Sequence, residues 1–395
     1  MLLFIVLSVP AFSEDASTTN KTSGAPGYGV GYSVQQTGDG GYIIVGTKYS
    51  YESRFQSQMV WLIKTDANGN KVWERIFGGL RNDIGYSVQQ TRDGGYIVAG
   101  STESFGSGGQ DAWLIKTDAN GNEVWNRTFG GARNDWAHSV LQTSDDGYIV
   151  AGSMYSFETG LQSQVVWLIK TDANGNKVWD RIFGGPRDDW GNSVQQTGDA
   201  GYIITGATRS YGEGGNSVLW LIKTDANGNR VWDRIFGGPA DTEGYSVNQT
   251  SDGGYIIAGS RVPQTQTTGE IWLIKTEANG TEVWDKTLGG SGDDMGKSAQ
   301  QTSDEEYIIT GSKPSSSGGY QDAWLIKIDN IGNAVWDRTF DGSGWNEGKS
   351  VQQTSDRGYI IIGSTYTYGT GGNNSAIWLI KTDRNGNRIW DRIFN

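Results

Sequence analysis

Two segments decide the architecture: GYSVNQTSDGGYIIAG (residues 244–259) and IWLIKTEANGTEVWDKTLGG (residues 271–290). Residues 245–250, Tyr-Ser-Val-Asn-Gln-Thr, read as a first strand. The turn Ser251-Asp252-Gly253-Gly254 follows, and Asp-Gly is a strong hairpin signal because it tolerates positive φ. Residues 255–259 are a near-continuous apolar run, which predicts a strand buried on both faces. A polar loop over 260–270 leads to a third strand (271–276). A turn around Asn279-Gly280 leads to a fourth (283–288), and Gly289-Gly290 ends the unit. The unit is four short antiparallel strands, A to D.

The unit recurs. The phrase Ser-Val-Gln-Gln-Thr starts at Ser33, Ser87, Ser193 and Ser350, with variants at Ser139, Ser246 and Ser298. Trp-Leu-Ile-Lys starts at Trp61, Trp113, Trp167, Trp220, Trp272, Trp324 and Trp378. Both series step by 52 to 54 residues, the period of a repeat architecture. Four strands taken seven times predict an all-β, seven-bladed β-propeller, with blades near 31–79, 85–131, 137–185, 191–238, 244–290, 296–342 and 348–395. The chain starts on a strand A and ends on a strand D, so blade seven is expected to close on blade one by face packing without exchanging a strand. Seven Trp on strand C and seven on strand D (Trp73, Trp125, Trp179, Trp232, Trp284, Trp336, Trp390) are expected between blades. Alternating acid and base on strand D, such as Glu74-Arg75 and Asp180-Arg181, predict a solvated outer edge that resists edge-to-edge pairing.

Composition narrows function. A net charge of −12 without a basic cluster argues against nucleic acid, which needs a cationic face. With no Cys and a single His, His138, thiolate chemistry and Cys- or His-rich metal sites are excluded. Residues 1–13, MLLFIVLSVPAFS, are too short for a stable span and end in a small-x-small pattern. They predict a signal peptide, a linker over 14–30, a secreted or cell-surface location, and no membrane insertion after processing.

Two resemblances follow from these residues. Asp66-Ala-Asn-Gly-Asn-Lys-Val-Trp73 resembles the tryptophan-docking motif of PQQ-like propellers, one turn residue shorter. The whole module, over about residues 27–395, is similar to the VQQT–DGGYI–AG repeats of secreted or cell-surface propellers of archaea and bacteria. The second resemblance implies an extracellular surface protein and transfers no catalytic residue. Quinone enzymes of the first kind look like eight-bladed proteins with a vicinal Cys pair, which this chain lacks.

In a propeller the B–C loops and D-to-A crossovers share one face. The B–C loops differ between copies and are rich in Tyr, Ser, Gly, Gln and Asn, a palette suited to recognition or simply free to drift. The crossovers carry Asp83, Asp135, Asp189, Asp241 and Asp294, expected around the channel mouth. There they would either ring a cation such as Ca2+ or cap their own turns. Three Trp outside the packing series, Trp136, Trp190 and Trp345, are candidates for stacking on sugar rings. The Asp-Ala-Asn-Gly-Asn turns carry oxygen at alternate positions but lack the distal acid of a calcium loop. No catalytic residue stands out, because near-identical blades give equivalent acids equivalent surroundings. The expectation is a non-enzymatic binding or adhesion propeller for an extracellular protein or glycan, or alternatively a multivalent lectin.

Overall fold

A computed structural model describes residues 28–50, 57–156, 162–290, 292–315, 320–342, 344–369 and 372–395. The signal segment, most of the linker and parts of the B–C loops of blades one, three, six and seven lie outside the described residues. Seven four-stranded antiparallel sheets form a ring, each built from consecutive strands. The protein is an all-β seven-bladed propeller. Blade one comprises strands A (Tyr28–Gln36), B (Tyr42–Ser50), C (Ser57–Thr65) and D (Lys71–Phe77). Blade seven comprises Asn346–Gln353, Tyr359–Gly369, Gly372–Thr382 and Arg388–Phe394. Strand A of blade one thus reaches back to Tyr28, into the expected linker. Much of the expected B–C loop of blade seven is hairpin, paired as far as Gly369 and Gly372. Among the described residues no helix is long and apolar enough to cross a membrane.

Strand B is buried along its apolar run, and Ile256, Ile257 and Ala258 are fully enclosed; beyond the run its end is partly exposed, as at Ser260–Val262. The strand C indoles sit between sheets, and six of the seven are at most 4% exposed. Each donates its Nε1–H to the residue after the strand D Trp, for example Trp61 to Glu74 at 3.0 Å and Trp220 to Asp233 at 2.9 Å. Each strand D Trp lies against the strand B Tyr of the next blade. Trp73 meets Tyr96 at 5.8 Å between centroids, and Trp390 meets Tyr42 at 5.9 Å, which closes the circle. The same indole covers the turn glycine of the next blade. A Cβ on Gly69, at φ +76, would lie 2.6 Å from Trp390. The turn Gly is therefore needed both for the left-handed backbone and for the close approach.

Strand D is the exposed outer edge of each sheet, and these contacts give its charges a second role. Its acid receives a buried indole N–H. Its Arg lies over its own Trp and reaches the next blade's turn, as Arg75 does over Trp73 and to the Asn120 carbonyl at 2.8 Å. The alternation of charge serves the seams between blades.

Ser-Val-Gln-Gln-Thr also has a physical reason. The innermost strand has no neighbour on its channel side, so its N–H groups need acceptors. The second Gln supplies one at all seven seams, accepting an N–H from the A–B turn of the preceding blade. Gln90 Oε1 takes the Gly38 N–H at 2.9 Å, and Gln36 Oε1 takes the Ser355 N–H at 2.8 Å across the closure. The first Gln bonds the other way around, with Gln352 Oε1 accepting the Gln36 N–H at 2.6 Å. Closure rests on these bonds and on one apolar cluster shared by blades one and seven, including Trp61, Ile63, Ile362, Ile377 and Leu379.

The Lys of every Trp-Leu-Ile-Lys is buried and meets the Asp of its blade's A–B turn, as in Lys64–Asp39 and Lys223–Asp199 at 2.8 Å. Burial pushes these carboxyls up. The Lys hydrogen bond, a Thr hydroxyl and a Gly N–H outweigh it and hold Asp39, Asp199 and Asp252 at about 2. Asp93, Asp145, Asp304 and Asp356 are lowered in the same setting. A carboxyl held below its unfolded value of about 3.9 contributes stability that is complete above that pH and disappears as pH falls to the folded value. The carboxylates are more than half exposed, so each contribution is small, but seven act together. The urea midpoint is expected to hold between pH 7 and about 5 and to fall between about pH 4 and 2. A midpoint unchanged down to about pH 2 would remove these pairs from the stability of the fold.

Candidate functional site

The crossover acids do not form a ring of ligands at the mouth. Asp83, Asp135, Asp189 and Asp294 are at most 1% exposed. Asp83 accepts the Gly79 N–H at 2.8 Å and the Ser104 hydroxyl at 2.7 Å, and it also bonds Thr102. Asp189 has the same partners in blade four: Gly185, Ser210 and Thr208. Each closes the turn that carries it. Asp135 accepts the Gly131 and Tyr155 N–H groups, and burial pushes its carboxyl up, as it does for Asp294. Asp241 holds a different slot, one residue earlier in the crossover; it is exposed and accepts the Ser217 N–H at 2.9 Å. Thr242 takes the buried place in that blade. The carboxylates are occupied by backbone donors because a crossover from outer to inner strand leaves N–H groups without a sheet partner. No cluster of three or more acidic or His side chains suited to a metal occurs among the described residues. The Asp-Ala-Asn-Gly-Asn turns satisfy themselves: Asp66 accepts from the Asn68 and Asn70 N–H groups and from Asn70 Nδ2.

The three surplus Trp divide. Trp136 and Trp190 occupy the same position on neighbouring inner strands, three residues before the recurring Ser, with partly buried rings. Trp136 Nε1 donates to Gln110 Oε1, and Trp190 Nε1 donates to Glu243 Oε1 at 2.7 Å. Trp345, 38% exposed, is out of register with them; it replaces the residue that elsewhere holds the preceding blade's strand C, as Asn134 and Asp188 do. The mouth therefore has a pair of indoles, with Trp345 standing apart.

What the sequence reading missed is a collar inside that mouth. In every blade the A–B pairing shifts register at Gly-X-Ser or Ala-X-Ser, which leaves X as a bulged residue. A bulge re-aims the side chain it inserts. The seven bulged residues are Tyr32, Tyr86, His138, Asn192, Tyr245, Lys297 and Lys349. They touch one another around the axis. Tyr32 meets Tyr86 edge-on at 5.4 Å, and Tyr86 meets His138 at 5.3 Å. Lys349 lies over Tyr32 at 4.3 Å, and Lys297 over Tyr245 at 3.8 Å. Next outward stand Trp136, Trp190, Glu243 and Glu347. Glu243 gathers Trp190, Asn192 Nδ2 at 2.8 Å and the Tyr245 hydroxyl at 3.3 Å; Glu347 pairs with Lys349 at 2.9 Å. His138 Nδ1 lies 2.9 Å from the Gly191 carbonyl oxygen, so it carries the proton and donates. Burial lowers the imidazole pKa, which keeps the ring neutral. Deeper in the channel the Gln side chains and Val34, Val88 and Val351 border a polar cavity of 220 Å³. Aligning the seven copies on Ser shows X varying, and the column two residues before it varying as well (Val30, Ile84, Trp136, Trp190, Glu243, Met295, Glu347), on either side of a nearly constant Gly.

Structural comparison gives the fold alone. The chain is similar to a puromycin hydrolase S511A mutant (TM-score 0.57, 11% identity, 93% of this chain and 54% of that one). It is similar to the β-propeller domain of the Trilobed protease from Pyrococcus furiosus, which has an open velcro topology (TM-score 0.51, 9% identity, 90% and 95%). It is also similar to the acylaminoacyl peptidase of Pyrococcus horikoshii (TM-score 0.50, 11% identity, 90% and 52%). It spans about half the length of the hydrolase and the peptidase. No family model and no curated protein sequence matches the chain.

Proposed function

We propose that this chain is an exported, non-enzymatic binding propeller that engages an extracellular protein or glycan on its crossover face, centred on the collar at the channel mouth. The observation that carries this reading is a contrast within one molecule. Indole to acid, Trp to Tyr, Gln to backbone and Lys to Asp recur from seam to seam, whereas the bulged position, aimed at the axis, carries Tyr, His, Asn or Lys. Building the ring places no such demand on that position. Export is read from residues 1–13 and from the resemblance to surface propellers. A glycan reading takes the form of one axial site in preference to seven equivalent ones, because Trp136 and Trp190 share a register found in two blades only.

A glycan array and capture from cell-surface extracts test the proposal with wild type, Trp136→Ala and Trp190→Ala. Capture is expected to weaken by about tenfold or more in either variant, with unchanged far-UV circular dichroism. Unchanged capture by both variants moves the site away from the mouth. A wild type that retains no glycan and no protein overturns the binding reading itself.

A further inference from the structure

We infer that the channel mouth takes a carboxylate-bearing sugar, with its carboxylate held by Lys297; this rests on the mouth being the ligand site. Lys297 and Lys349 are neighbours in the collar, and both lie on tyrosine faces. Lys349 has an acid, Glu347 at 2.9 Å. Lys297 has none. Glu243 is bound by Trp190, Asn192 and Tyr245, and among the described residues the Lys297 ammonium meets only the Tyr245 ring. A π-face attracts a cation but accepts little from three N–H donors. Burial lowers the Lys297 pKa, while Glu347 and Glu243 act to raise it and Lys349 to lower it. A half-desolvated ammonium with open donors is a site for an anionic oxygen, and charge-assisted bonds of that kind are among the strongest available.

The ligand class follows from what surrounds the ammonium. Within the collar Lys297 is the one ammonium without an acid and matches a single carboxylate; the Arg209 guanidinium lies further out, over the Trp190 ring at 5.5 Å. A phosphate dianion would bring surplus negative charge beside Glu243 and Glu347. Trp136 and Trp190 stand one step further out on blades three and four, with the Arg209 guanidinium over one face of Trp190 at 5.5 Å; the apolar face of a pyranose can stack on the indole surface that remains. His138, with its proton on Nδ1, leaves Nε2 as an acceptor for a sugar hydroxyl. An acidic sugar therefore finds an indole platform on one side of the mouth and its counter-ion on the other.

Calorimetric titration with galacturonate, a single-ring monoanion, and with its methyl ester tests this. The ester keeps the ring and removes the charge. Wild type is expected to bind the acid at least about tenfold more tightly than the ester, and Lys297→Met to bring the acid down to the ester's level. Lys297→Arg should keep most of the preference. Equal binding of acid and ester by wild type, no binding of the acid, or a preference that survives in Lys297→Met overturns the inference. Neutral glycans bound in a Trp190-dependent way, with no preference for acid, overturn the carboxylate and leave the mouth as the site. Absence of any ligand sensitive to Trp136 or Trp190 overturns both.

Discussion

Trp61→Ala is expected to cost about 3–5 kcal/mol of stability, among the largest losses of any single side chain. Trp61 is fully buried at the only seam whose blades are not consecutive in the chain. Its ring packs with Ile377, Ile362 and Leu379 of blade seven, and Lys48 lies over it at 4.4 Å. Removing the indole leaves a void between two sheets held by the rest of the ring, which limits collapse into it. Trp61→Phe should lose less than half as much. Trp73→Ala, removing a partly exposed ring at a seam the chain itself links, should also lose less. Urea unfolding followed by far-UV circular dichroism gives the comparison. A loss below about 1 kcal/mol for Trp61→Ala would mean that the closing seam draws its strength elsewhere.

Asp252→Ala is the second, at about 3 kcal/mol, because taking away one partner strands a buried charge. The Lys275 side chain is 6% exposed, and its ammonium is held by both Asp252 oxygens, at 2.8 and 3.1 Å, and by the Thr276 carbonyl at 2.8 Å. Without the acid one carbonyl remains. Asp252 also accepts the Gly254 N–H at 3.0 Å and the Thr250 hydroxyl, so the turn loses its brace. Lys275→Met should be milder, since Asp252 is 62% exposed and water can take the place of the ammonium. Equal losses in the two variants would indicate that the pair matters for its packed stem and not for its charge.

The frame was legible to the residue in places. Strand B announced itself by an unbroken apolar run, the turns by Asp-Gly and Asn-Gly, and the ring by its period. The candidate site was legible only in part. Trp136 and Trp190 were picked out because they fall outside the packing series, and the structure sets them side by side on adjacent inner strands. Trp345 was grouped with them by residue type, but it sits two residues earlier in its crossover and is 38% exposed. For the crossover acids the sequence left two readings, a ring around a cation or caps on their own turns; burial and backbone donors assign Asp83 and Asp189 to their turns.

Sequence by itself determined the blades, their number and the absence of an exchanged strand, because each is a local pattern repeated: an apolar run, a turn, a period. Only the tertiary structure decided where side chains point at the axis. A bulge turns Tyr32, His138 or Lys297 inward through one inserted residue, and no periodicity marks that insertion. Lys349 and Lys297 occupy equivalent places in consecutive repeats; Glu347, two residues before Lys349 on the same strand, answers one, and Met295 holds that position before Lys297. What the fold decides is that each ammonium comes to lie on a tyrosine of a neighbouring blade, Tyr32 or Tyr245.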